Sequence, residues 1–250
     1  MADWLVGLIG VSCLAAASCR KDKPKPPPPP AASVAAVPCA DGETRDPPHG
    51  EARPAIQALR SKDYDTARTL FEGLLIRYPE SASLRVWLGD ARLGQGTKAS
   101  TQAALDAYNE ALALDARGCK LRDRETFFVV VGVADCQIRQ NHAELALAGL
   151  AAAEPKWPDN PELVYHRARA ECSLGHREPC FTDLELALSL AATRQRARLS
   201  RSHHSSDRLV ERASSDPEFE LLRKEARYRA LLASASASDA GPAPAEPTPP

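Results

Sequence analysis

Between residues 62 and 80 the chain reads KDYDTARTLFEGLLIRYPE, with Tyr64, Ala67, Phe71 and Leu74 three or four residues apart and Pro79 closing the run. This spacing lays the four side chains along one stripe of an α-helix, and the proline ends it by driving Tyr78 out of helical geometry. A stripe of this kind needs a partner to cover it. The set Ala67, Phe71, Leu74 and Pro79 recurs as Ala104, Tyr108, Ala111 and Ala116, then as Ala146, Leu150, Ala153 and Pro158, and finally as Cys180, Leu184 and Ala187. Upstream of the later three lies another helical stretch: LRVWLGDARLGQG with Leu88 and Gly89, FFVVVGVADCQIRQN with Val133 and Ala134, and PELVYHRARAECSLG with Arg167 and Ala168. Small residues at matched places let two helices approach closely, while the bulky ones fill the space between pairs. The pattern therefore predicts an all-α chain of repeated helix pairs.

This arrangement resembles the tetratricopeptide repeat, a helix-turn-helix unit of about 34 residues. The resemblance covers roughly residues 51–190 as four repeats, 51–81, 82–118, 119–160 and 161–190, and implies a right-handed superhelix. Three departures are visible. GQGTKASTQAA carries about three extra residues in the turn of the second repeat, RGCKLRDRET lengthens the connection to the third, and Pro54 requires a short first helix. Residues 191–232 are expected to form capping helices. Within them SSDPEFELLRKEARYRALLA resembles the segment that closes some bacterial arrays of this family, with Asp216 as N-cap, Pro217 at the first helical position, and Phe219 and Leu222 facing the last repeat. The low-complexity stretch 233–250 is read as a disordered tail.

Composition fits helices: 44% of residues are hydrophobic but only 5% aromatic, and 26% are charged. A net charge of -1 supplies no global field to attract nucleic acid, so no nucleic-acid partner is expected. At the N-terminus, residues 4–18 are uncharged, which suits the apolar region of a secretory signal. The small residues Ala16, Ala17 and Ser18 before Cys19 resemble the lipobox of bacterial lipoproteins, which implies removal of 1–18 and a lipid on Cys19. The proline-rich stretch after Cys19 reads as an extended spacer, so 19–50 is taken as a lipidated, disordered linker.

Candidate chemistry is sparse. Gly89 and Gly94 have phosphate-loop separation, but Gln95 and Gly96 stand where Lys and Ser or Thr are needed. Cys172, His176 and Cys180 could approach a zinc ion but lack an evident fourth ligand. A Cys172–Cys180 disulfide across the fourth pair is the competing reading, and the odd number of cysteines remaining after Cys19 leaves a thiol over. His203 and His204 are read as solvated. No nucleophile motif or paired-carboxylate signature is present, so neither a cofactor nor an enzyme is expected.

The family resemblance implies binding in a groove lined by the first helix of each pair, on Val86, Asp90, Val131, Asp135, Arg139, Tyr165 and Arg169. The Lys/Asn set that clamps a C-terminal carboxylate in some members is missing, which leaves a mixed, partly apolar peptide or protein surface as the expected partner. The leading expectation is a lipid-anchored interaction scaffold facing the periplasm of a bacterial envelope, engaged with envelope-assembly components. The alternatives are a signalling adaptor acting with a kinase or cyclase and, less favoured, a metal-binding enzyme.

Overall fold

The structure is a computed structural model that describes residues 45–48, 50–196 and 206–237. The chain divides into two units at residue 37, and every described residue belongs to the second. The signal-like segment, Cys19, the proline run, His203, His204 and the chain beyond 237 lie outside the described residues.

Among the described residues there are ten α-helices and no strand, so the all-α expectation holds. Four consecutive pairs come first: α1 (Arg53–Arg60) with α2 (Tyr64–Arg77), α3 (Ala82–Gly94) with α4 (Lys98–Ala116), α5 (Asp123–Arg139) with α6 (Ala143–Ala153), and α7 (Pro161–Ser173) with α8 (Arg177–Arg196). Then follow α9 (Ser206–Ser215), 3-10 turns at Pro217–Phe219 and Leu222–Lys224, and α10 (Ala226–Ala237).

Within every pair the helices are joined by three residues, the second of which has a positive φ: Lys62 at 62°, Gly96 at 72°, Asn141 at 61° and Gly175 at 77°. The cause lies in the helix end, whose last carbonyls have no partner until a left-handed residue turns the chain back on them. Lys62 and Asp63 thus donate their N–H groups to the Leu59 and Ala58 carbonyls at 3.1 and 2.9 Å. Asn141 and His142 donate likewise to Ile138 and Gln137 at 3.0 and 2.8 Å, and Gly175 and His176 to Cys172 and Glu171 at 3.0 and 2.9 Å. Glycine and asparagine tolerate this backbone; Lys62 occupies it without their freedom.

The extra residues expected in the second turn are helical instead. α4 begins at Lys98, six residues before Ala104, whereas α2 begins three residues before Ala67 and α6 three before Ala146. The insertion is one added helical turn, fixed by reciprocal bonds in which Thr97 Oγ1 accepts from the Ser100 N–H and Ser100 Oγ from the Thr97 N–H, both at 3.0 Å. Pro54 lies in the first turn of the eight-residue α1, where its missing N–H removes no helical bond. Helix boundaries exceed those expected at the C-terminal side, since α8 continues past 190 to Arg196 and α10 past 232 to Ala237. At the N-terminal side the chain already packs on the helices before 51: Asp46 accepts hydrogen bonds from the Ser81 and Ser83 hydroxyls at 2.6 and 2.8 Å, and Arg45 pairs with Glu80.

The core is divided into clusters, each spanning one pair and the helix that follows. Phe71 and Leu74 of α2 meet Leu84, Leu88 and Ala91 of α3. Tyr108 and Ala104 of α4 meet Val86 of α3 with Val129 and Cys136 of α5. Leu150 and Ala146 of α6 join Ile138 of α5 to Leu163 and Ala170 of α7. Phe181 and Leu184 of α8 pack with Tyr165, Leu209, Phe219 and Tyr228. The small positions matter most around Tyr108. A Cβ added at Gly89 or Gly132 would stand 2.5 or 2.4 Å from its ring carbons, so both glycines are required by close approach. In α5 the sequence pattern singled out Ala134, which is buried with Ala146 and Leu150 of its own pair, and passed over Gly132, which faces Tyr108 of the pair before.

Candidate functional site

The seven residues expected to line a groove divide into two groups. Val86 and Tyr165 are fully buried, Asp135 and Arg169 nearly so, and Val131 is half-buried. Asp90 lies in the wall of one cleft, and Arg139 lines another together with an edge of Arg169. The groove expectation is therefore corrected for Val86, Asp135 and Tyr165, and for Arg169 apart from the edge it shows to one cleft. Val86 points into the Tyr108 cluster. The others are covered because the C-terminal segment folds onto α7.

That cover is built from charge. Arg169 donates to Asp135 at 2.6 Å and to both oxygens of Glu218 at 3.1 and 3.2 Å, and pairs with Asp216 at 3.2 Å. Arg139 pairs with the second oxygen of Asp135 at 3.1 Å. The Tyr165 hydroxyl donates to Asp216 at 2.7 Å, which explains why Asp216 makes no side-chain cap at the following turn despite its N-cap position. From α9, Arg212 reaches Glu162 at 2.6 Å and lies over the Tyr165 ring, 4.4 Å from its centroid. Burial acts to raise the Asp135 carboxyl, but Arg169 and Arg139 outweigh it and hold the group well below the usual carboxylate range. Burial, with Arg169 and Arg212 at 3.4 Å from its two ring nitrogens, lowers His166 to about 3 and keeps it neutral. A fully paired network of this kind ties α5, α7, α9 and the Pro217–Phe219 turn together.

Two clefts remain open beside this network. The larger, about 1290 Å³, lies between the turn residues around Gly96 and Asn141 and the Asp216–Glu218 strip; of its cations, Arg139 and Arg169 are committed to carboxylates, and Lys98 has no carboxylate partner among the described residues. The second, about 810 Å³, has α1, α3 and α5 on one side and α9 on the other. Its apolar lining is Ile56, Leu59, Trp87 and Phe128, all half-buried rather than packed away. Trp87 and Phe128 stand 5.8 Å apart, centroid to centroid, tilted by 54°. Helix geometry brings these residues together, because 56 and 59, 87 and 90, and 124 and 128 fall on single faces of α1, α3 and α5. Arg60, Lys62, Arg124 and Arg208 surround them, with Arg124 5.3 Å from the Phe128 ring centroid.

Asp90 lies in the wall of this cleft. Its one oxygen accepts a hydrogen bond from the Tyr108 hydroxyl at 2.6 Å, and burial pushes its carboxyl up to about 7. The sequence located Asp90 but missed Trp87 and Phe128. The signal was the pairing of Arg124 with Phe128 four residues on, together with an aromatic directly before the small Leu88–Gly89 site.

The cysteine chemistry is settled differently from a metal site. Cys172 and Cys180 are joined by a disulfide with Cα atoms 5.1 Å apart, so neither is free to act as a thiolate ligand, and His176 instead sits 2.7 Å from the Glu171 carboxylate. Cys119 is also disulfide-bonded, and Cys136 is a buried free thiol that burial pushes up to about 12. Among the described residues no cluster of His, Cys, Asp and Glu could hold a metal ion. The Gly89 and Gly94 pair serves packing, Gly94 against the Tyr64 ring, rather than a phosphate loop. Compared with known families and with curated proteins, the chain matches no family model and no curated protein.

Proposed function

We propose that this protein is a binding scaffold of the tetratricopeptide type, in which the cleft between α1, α3, α5 and α9 receives a peptide or a segment of a partner protein. The observation that carries the reading is that Ile56, Leu59, Trp87 and Phe128, each only half-buried, converge on one concave site. Folding ordinarily removes such side chains from water, and a recessed apolar patch rimmed by polar groups is the usual form of a recognition surface. Direct packing of α1 on α3, α3 on α5 and α5 on α7 supports stacking of the pairs into a right-handed superhelix. The proposed address is a lipid on Cys19 at a bacterial envelope membrane, with the helices facing the periplasm. Ala16, Ala17 and Ser18 support it, as do the disulfides of Cys172 with Cys180 and of Cys119, which persist in oxidising compartments.

The test is photocrosslinking in cells. A crosslinking amino acid at Phe128 is expected to capture a partner, whereas the same group at Ile76, 84% exposed on α2, is not. Adducts from Ile76 with none from Phe128 would sink the cleft as the binding site. For the address, Cys19→Ser should abolish labelling by a fatty-acid analogue and leave the precursor uncleaved.

A further inference from the structure

The charge around the cleft is not what the whole chain predicts. With a net charge of -1 overall, the cleft nonetheless gathers Arg60, Lys62, Arg124, Arg208 and Arg212, against Glu211 and Asp90. Arg212 is spent on Glu162, but among the described residues no carboxylate is paired with Arg60, Lys62 or Arg124. The adjoining cleft shares Ile56, Arg60 and Trp87 and adds Arg53, so the basic character continues along α1. Its acid, Asp46, lies 3.9 Å from Arg122 of the same cleft, which offsets its charge. Like charges held this close repel one another, and that repulsion is relieved when an anion enters.

We propose that the occupant is an acidic peptide segment whose apolar side chains enter between Ile56, Leu59, Trp87 and Phe128 while its carboxylates meet Arg60, Lys62 and Arg124. This rests on the binding reading given above and names the partner's chemistry. Three features favour a peptide over other polyanions. The apolar floor is recessed between α1 and α9, where a membrane surface does not reach. Trp87 and Phe128 are tilted at 54°, and Arg124 already lies over Phe128, so the pair presents no open parallel platform for successive bases. The remaining gaps suit aliphatic or aromatic side chains, which gain most from leaving water.

The experiment uses the full-length protein and fluorescence anisotropy of a labelled peptide in which Asp and Glu alternate with Leu and Phe. Controls are the same peptide with Lys replacing each acid, a single-stranded oligonucleotide, and vesicles of anionic phospholipid. The acidic peptide should bind at least about tenfold more tightly than the lysine peptide, and binding should weaken as salt is raised. Arg60→Glu combined with Arg124→Glu should reverse that preference; both side chains are exposed, so the fold should be kept, and Arg60→Gln with Arg124→Gln gives a milder version. Trp87→Ala should weaken binding without altering its salt dependence. Equal binding of the lysine peptide, an unchanged preference in the charge-reversed variant, or oligonucleotide or vesicle binding as tight as that of the peptide would each overturn the proposal. Partner capture at Phe128 with no preference for the acidic peptide would leave the cleft as a binding site and remove only the acidic assignment. Loss of both would remove the cleft reading itself.

Discussion

Replacing Asp90 with asparagine isolates the cost of keeping a carboxyl in the wall of the cleft. The group is raised from 3.8 to about 7 chiefly by burial, and its hydrogen bond from Tyr108 only partly offsets this. Between those two pH values the folded chain retains a proton that the unfolded chain releases, so stability is greatest below about pH 4 and is lost as pH rises toward 7. Each pH unit of the interval is worth about 1.4 kcal/mol, which sets a ceiling of about 4 kcal/mol above pH 7; water entering the cleft lowers the expected loss to about 2–3 kcal/mol. Asn keeps an oxygen to accept from the Tyr108 hydroxyl at the same place but carries no charge. Urea unfolding of both proteins at a series of pH values gives the difference directly. Asp90→Asn should match the parent near pH 4, exceed it progressively up to pH 7, and stay about 2–3 kcal/mol more stable above that. The opposing titration of neutral His166 is common to both proteins and cancels. A difference independent of pH, or an Asn variant less stable at pH 8, would refute the assignment of Asp90 as a desolvated carboxyl.

Arg169→Met should cost about 3–5 kcal/mol, because it leaves Glu218 and Asp216 without their cation and Asp135 with Arg139 alone; a loss below about 1 kcal/mol in urea titration would mean the network is solvated. Lys62→Gly should stabilise by about 0.5–1 kcal/mol, since glycine accepts φ 62° without the steric penalty, and thermal unfolding checks it. Cys172→Ala with Cys180→Ala should cost about 2–3 kcal/mol, the loop-closure value for a sequence separation of 8, measured without reductant so that the bond at Cys119 stays intact.

The helix pairs were legible because their determinants are local. Ala67, Phe71 and Leu74 are neighbours on one helix, and a glycine or asparagine at the turn announces the left-handed residue at Gly96, Asn141 and Gly175. The groove was harder to read because one residue along a helix is a rotation of about 100°, enough to exchange cleft for core. Val86 faces Tyr108 while its neighbour Trp87 faces the cleft. The cover over α7 was not legible at all. Arg169 finds Glu218 across 49 residues and Arg212 finds Glu162 across 50, and no spacing rule connects charges so far apart. Asp216 shows the limit most plainly: its position before Pro217 signals a cap, but the arrival of Tyr165 and Arg169 decides what its carboxylate does.

The offset between the repeats in the sequence and the clusters of the core decides where the chain can be divided. A cut at 81/82, natural by sequence, would strip Leu84, Leu88 and Ala91 from Phe71 and leave an apolar wound on both pieces. A fragment that keeps α1 through α3 retains that cluster whole but uncovers Val86, which the Tyr108 cluster otherwise buries, so a first helix belongs to the core on each side of it. A pair could replace α5 and α6 without a clash only if its first helix offered the small site that Gly132 gives Tyr108. Because α3 is shared between two cores, no cut beside it leaves both pieces closed.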